Sequence, residues 1–132
     1  YLKQAQKNLA DSPRINFIQG DGAKLPFKDA EFDAWTSVFM FHELPFEERK
    51  KVLAEAHRVL KADGLLVFAD SIQLHDNEDL KWGLEQFPQG FHEPFYAHYV
   101  KHPMEAIIED SGFQIVSSTP HFLTKVIVAK KV

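Results

Sequence analysis

Two short apolar runs flanking one amphipathic segment constrain this chain more than any other feature. Phe32 to Phe41 is almost continuously apolar and aromatic, and Leu65 to Ser71 is similar. Runs this short suit strands covered on both faces, the condition of a parallel sheet. Between them, Val52, Leu53, Ala56, Val59 and Leu60 recur at helical spacing within Phe46 to Ala62. That stripe predicts a helix, and the run Glu47, Glu48, Arg49, Lys50 and Lys51 reads as its solvated face. Acids fall in the first turn and Lys61 in the last, as the helix dipole favours. Gly64 stands where a C-terminal cap is expected. Strand, helix, strand is the unit of an open sheet with right-handed crossovers.

The flanks extend this pattern. Tyr1 to Ala10 reads as the back half of an amphipathic helix, stopped by Asp11-Ser12-Pro13. Ile15 to Gln19, rich in branched and aromatic residues, is expected as a short strand, and Gly20 to Lys28 as a loop. Beyond Ser71 the pattern changes. Ile72 to His102 is polar and aromatic by turns, with short helices expected around Asn77 to Gln86. Pro103 to Asp110 predicts a compact helix ended by Gly112. Phe113 to Thr119 and Leu123 to Lys131 predict strands joined at Pro120-His121, and so short a turn makes the pair antiparallel. The fold class expected is α/β: parallel strands, a C-terminal antiparallel hairpin, and helices on both faces.

Composition narrows the function. The formal charge of -4 offers no basic surface for nucleic acid. The absence of cysteine excludes disulfides and zinc-thiolate sites and fits a reducing, cytoplasmic setting. No apolar run approaches the ~20 residues that a membrane helix needs. Tyr1 opens inside a helical pattern, so an upstream segment is expected.

Gly20-Asp21-Gly22-Ala23-Lys24-Leu25-Pro26-Phe27 is followed at once by Phe32-Asp33-Ala34-Trp35-Thr36-Ser37-Val38-Phe39-Met40-Phe41-His42-Glu43-Leu44. Further on stands Arg58-Val59-Leu60-Lys61-Ala62-Asp63-Gly64-Leu65-Leu66. This ordered set resembles the second half of the Rossmann-like class I S-adenosylmethionine-dependent methyltransferases, in the branch that methylates small molecules such as quinones. The resemblance makes Ile15 to Gln19 strand three, Phe32 to Phe41 strand four, Leu65 to Ser71 strand five, and the hairpin strands six and seven. The family's acidic-x-Gly-x-Gly turn and the acid that holds the ribose have no counterpart among Gly20, Gly22, Gly64, Gly83, Gly90 and Gly112. Residues 1–132 therefore resemble one truncated domain, with 72–102 as a variable lid or insert.

The resemblance also implies a site. The cofactor is S-adenosylmethionine, with the Asp21 carboxylate taking the adenine amine and Gly22 and Ala23 meeting the ring edge. Ser37, Val38 and Phe39, near the end of strand four, line the methionine and ribose side. His42 is the one candidate for acid-base work, since imidazole titrates near neutrality. A small apolar or ring-bearing acceptor is expected beside Phe41, Trp82, Phe95, Tyr96 and Tyr99, in a lid that also holds Phe87 and Phe91. Each residue has a plainer reading: a turn aspartate, strand core, a capping histidine, aromatics that staple a loop. No metal is expected. His98 and His102 are four apart, but Pro103 follows directly, and Phe46 stands where a zinc-protease motif needs its second histidine.

Two rival functions stay open at this level: a binding module that keeps the fold and catalyses nothing, and a nucleotide-binding oxidoreductase. The antiparallel hairpin and the missing dinucleotide fingerprint count against the second. Truncation also leaves the edge of the Phe32 to Phe41 strand unpaired. A homodimer, an exchanged Tyr1 to Gln19 segment, or direct pairing of strand three on strand four is expected to cover it.

Overall fold

The structure is a computed structural model that describes residues 2–132; Tyr1, the first residue of the expected helix, lies outside them. Helix α1 (Leu2–Asn8) precedes strand β1 (Phe32–Val38), helix α2 (Phe46–Val59) and strand β2 (Leu60–Ser71). Three short helices follow, α3 (Lys81–Gly90), α4 (Tyr96–Tyr99) and α5 (Met104–Asp110), then strands β3 (Phe113–His121) and β4 (Thr124–Lys131). The sheet order is β1-β2-β4-β3. β1 and β2 are parallel, and β4 is antiparallel to both β2 and β3.

The core lies on one face of this sheet. Strand side chains alternate, and Leu66, Phe68 and Asp70 of β2 are buried where Leu65, Val67, Ala69 and Ser71 are not. Phe68 faces Ile127 and Leu66 faces Ala129, so β4 continues the same surface. Val52, Leu53 and Ala56 of α2, Tyr99 of α4 and Ile108 of α5 close over it in one cluster.

Several expectations need correction. Ile15 to Gln19 forms no strand. Ile15 and Ile18 are 41% and 53% exposed. Branched residues favour extended backbone, but a strand exists only against a paired edge, and among the described residues β1 pairs with β2 alone. Strand three therefore does not pair on strand four. Nor is β1 covered on both faces: Ala34, Thr36 and Val38 are exposed. The strand stops at Val38, and Phe41–Glu43 is a 3-10 turn.

Helix α2 stops at Val59 rather than Ala62, with Leu60 already extended. The left-handed residue nearby is Asp63, at φ 60, not Gly64. Gly64 answers a different demand, because a Cβ there would stand 2.9 Å from the Lys61 carbonyl oxygen. The hairpin turns at Phe122-Leu123 rather than Pro120-His121, which pair in the ladder.

Candidate functional site

The carboxyl ends of the two parallel strands meet at Asp70. Its side chain is fully buried, on the core face of β2. One oxygen, Oδ2, accepts the Phe41 backbone N–H at 2.8 Å. The other accepts the Ser71 N–H at 2.7 Å and faces His42 Nδ1 at 2.6 Å. A carboxylate only accepts, so His42 Nδ1 carries a proton, and in the neutral imidazole Nε2 keeps the lone pair. The hydrogen bond to Asp70 raises the His42 pKa above its ordinary value, against a smaller opposing effect of burial.

Between β1 and this turn, Phe39 takes a left-handed backbone at φ 49. A bulky side chain rarely adopts that region, and such strain gathers at functional sites. The Phe39 N–H is held by the Ala69 carbonyl at 2.9 Å.

A cavity of about 440 Å³ opens beyond the two strand ends. Phe39, Leu80, Leu84, Phe87, Tyr96 and Leu123 give it an apolar wall, and His42, Ser71, Glu93 and Thr124 supply polar groups. Ser71 Oγ donates to the Ile72 carbonyl at 3.2 Å, so the Tyr96 hydroxyl, 2.7 Å from that oxygen, donates to Ser71. Tyr99 Oη donates to the Ser71 carbonyl at 2.7 Å. Burial raises the pKa of both tyrosines. A second hollow of about 460 Å³ is bordered by Val38, Phe39, Met40 and Glu43.

Buried Arg49 straps the lid to this turn. Its Nε donates to the Phe41 carbonyl at 2.9 Å and its Nη2 to the Phe95 carbonyl at 3.2 Å. Nη1 lies 3.3 Å from His98 Nδ1, and the guanidinium lies 5.2 Å from the Tyr99 ring centre. Burial pulls the Arg49 pKa down, and burial, helped by the adjacent His102 and Arg49, depresses that of His98.

The Gly20 to Glu31 loop is fastened along α2. Arg58 donates to the Phe27 and Leu25 carbonyls, at 2.9 and 3.2 Å, and to Asp29 at 2.7 Å. Glu55 accepts the Leu25 N–H at 2.7 Å, and its pairing with Arg58 holds its carboxyl down to about 2. At the loop's head, the Ala23 N–H donates to Asp21 Oδ1 at 2.9 Å, and Gly22 packs on Val52.

The expected site residues divide. Phe39, His42 and Tyr96 share the cavity. Val38 and Phe39, 65% and 51% exposed, border the open hollow, while Ser37 is buried on the core face. Asp21, Gly22 and Ala23 sit together in the fastened loop. Phe41 lies inside the core and Tyr99 is buried beneath Ser71. Trp82, 75% exposed, and Phe95 stand off the cavity wall. Arg49, read as part of a solvated helix face, is instead fully buried. Its position three and four residues before Val52 and Leu53 was the available signal. Asp70 and Ser71 were also missed; the lone acid closing an apolar strand was the cue.

Among the described residues, the clustered histidines and acids already have partners. The His98 and His102 rings stack at 3.8 Å. His75, Asp76 and Glu105 converge, but on the buried Lys125 ammonium, which lies 2.9 Å from Asp76 and 2.8 Å from Glu105.

Comparison with known proteins adds the following. A family described as methyltransferase domain matches residues 1–68. The demethylmenaquinone methyltransferase of Thermotoga maritima is 45% identical over 69 residues, covering 52% of this chain and 28% of that protein. An uncharacterized protein of Haemophilus influenzae is 30% identical over 121 residues, covering 89% of this chain and 47% of that protein. The chain thus spans less than half the length of these relatives. In fold it is similar to an S-adenosylmethionine-dependent methyltransferase from Aquifex aeolicus, with a TM-score of 0.73 at 20% identity, covering 99% of this chain and 63% of that one. Among the described residues, no helix is long and apolar enough to cross a membrane.

Proposed function

The chain belongs to the methyltransferase domain family of class I S-adenosylmethionine-dependent enzymes, and we propose that it forms the acceptor-binding part of one that methylates a small apolar or ring-bearing molecule. One observation carries this: Phe39 borders both the apolar cavity and the open hollow at the end of β1. Methyl transfer needs donor and acceptor in line across a short gap, with water kept out. Two hollows that meet at one side chain suit that demand.

The residues present fit one flank of the cofactor. Asp21 uses one carboxylate oxygen on the Ala23 N–H, which leaves the other for an exocyclic amine. Gly22 and Ala23 are small enough for a ring to approach. Exposed Val38 and Phe39 offer apolar surface at a strand's carboxyl end, where ligands of open α/β sheets bind. Bound S-adenosylmethionine supplies an electrophilic methyl group on sulfur. The chain's own part is to orient the acceptor between Leu84, Phe87 and Tyr96 and to exclude water from it. Tyr99 supports that wall from within, against His42 and Tyr96, Phe41 lies deeper against Phe68, and Trp82 and Phe95 belong to the lid's outer side.

In this view residues 1–132 belong to one truncated domain and 72–102 are its lid, because that segment supplies Leu80, Leu84, Phe87 and Tyr96 to the cavity. A second copy of the chain covers the outer edge of β1, which has no ladder partner among the described residues. The lack of cysteine suits a cytoplasmic setting. The sparse border of the open hollow favours a second reading, a binding module without catalysis.

Calorimetry on the whole protein separates the two. S-adenosylmethionine is expected to bind with Kd below ~100 µM, about 5–6 kcal/mol. Binding of a naphthol with no detectable cofactor binding would establish the module instead.

A further inference from the structure

Resting on methyl transfer as proposed above, we infer that His42 is the general base of this site, positioned by Asp70, and that the acceptor is a hydroxylated conjugated ring or enol. Three observations converge. His42 is 14% exposed, and its ring lines the cavity. Its Nδ1 is committed to Asp70, whose other contacts are the Phe41 and Ser71 backbone amides. The lone pair on Nε2 has no hydrogen-bond partner among the described residues; its nearest acid, Glu43, stands 3.8 Å away.

The rest of the wall leaves little else to do this work. The Tyr96 proton is directed to Ser71 and the Tyr99 proton to the Ser71 carbonyl. Glu93 is the other titratable group on the lining. An acceptor that needs no deprotonation, such as a tertiary amine or thioether, would make no use of an imidazole that a buried acid holds by Nδ1 with its Nε2 lone pair toward the cavity. A phenol or enol would.

The acceptor hydroxyl gives its proton to Nε2 and keeps the electron pair. Its oxygen, or a ring carbon conjugated with it, uses that pair to bond the methyl carbon. The carbon–sulfur bond breaks with its pair going to sulfur. A carbon methylated in this way then loses its own proton to water, and the imidazolium returns its proton to water. The groups that face His42 are Asp70 on β2, Glu43 on its own turn, and Glu93, Tyr96 and Tyr99 from the lid. The carboxylates among them hold the imidazole pKa up, so base strength appears as pH rises past that raised value.

The test uses the whole protein and 4-nitrophenol, whose ionisation is read by its colour. Bound to the wild-type protein it is expected to ionise at least ~1 pH unit below the free phenol, through its partner base. His42→Gln is expected to abolish that shift, and Glu93→Gln, which removes one of the charges that hold the imidazole pKa up, to reduce it without abolishing it. A shift that survives His42→Gln, or no saturable binding to the wild type, overturns the assignment. Nitrogen NMR of the unsubstituted protein gives an independent check that no folding defect can confound. Above its titration, His42 is expected to keep its proton on Nδ1; a proton on Nε2 overturns the assignment as well. Calorimetry with S-adenosylmethionine decides methyl transfer separately. Cofactor binding without a His42-dependent shift removes the base and leaves the methyltransferase, whereas the shift without cofactor binding does the reverse.

Discussion

The two faces of the sheet differ as a finished surface differs from an unfinished one. On one, Leu66, Phe68, Ile127 and Ala129 are fully buried in a cluster with α2, α4 and α5. On the other, Val38, Leu65, Val67, Ala69, Val126 and Val128 are exposed or only half-buried. Both faces carry apolar residues at the same period. The difference teaches that a strand's sequence states what it can bury, while its neighbours decide whether it does. The cavity follows the same division: its polar end is anchored by Asp70 on the finished face, and the hollow beyond Val38 lies toward the unfinished one.

The comparison can be broken by substitution. Phe68→Ala is expected to cost about 3–5 kcal/mol in urea unfolding, by lost transfer energy plus a cavity. Val67→Ala, one residue away on the other face, is expected to cost under about 1 kcal/mol. Equal losses would mean that both faces are buried in solution. A smaller effect is expected from Arg49→Met, about 2 kcal/mol, because it leaves the Phe41 and Phe95 carbonyls without their donor. Hydrogen exchange in residues 91–102 should quicken in this variant; unchanged protection there would show that the strap does not hold the lid.

Acid sharpens the picture on the loop side. The Glu55 carboxyl, held at about 2 when folded, titrates near 4.3 in an unfolded chain. Its stabilising contribution is therefore full above the unfolded value and is lost as pH falls toward 2. Glu55→Gln should flatten that limb of the stability profile, read from thermal melts between neutral and strongly acidic pH. An unchanged limb would mean that Arg58 does not depend on Glu55 to hold the loop. The smallest effect belongs to the hairpin turn. Phe122, at φ 54, is strained for an L side chain, and Phe122→Gly should gain less than about 1 kcal/mol.

What the sequence disclosed follows from the same contrast. Helix α2, strand β2 and the terminal hairpin were legible because the residues that bury them are in this chain. Ile15 to Gln19 was misread because its composition describes a strand whose paired edge is not among the described residues. Of the residues that line the cavity, His42 and Tyr96 were singled out by residue type and position. Asp70 was not, since its role depends on a turn from a different strand end folding back onto it. Arg49 was hidden by its charged neighbours, though its place on the buried stripe was visible in the spacing.

Phe39 leaves little freedom for redesign. One aromatic ring partitions two compartments. Trimming it to admit a bulkier guest would at once loosen the fit next door, and enlarging it would crowd both tenants. On the proposed reading, selectivity for the acceptor and affinity for the cofactor are coupled through that single residue.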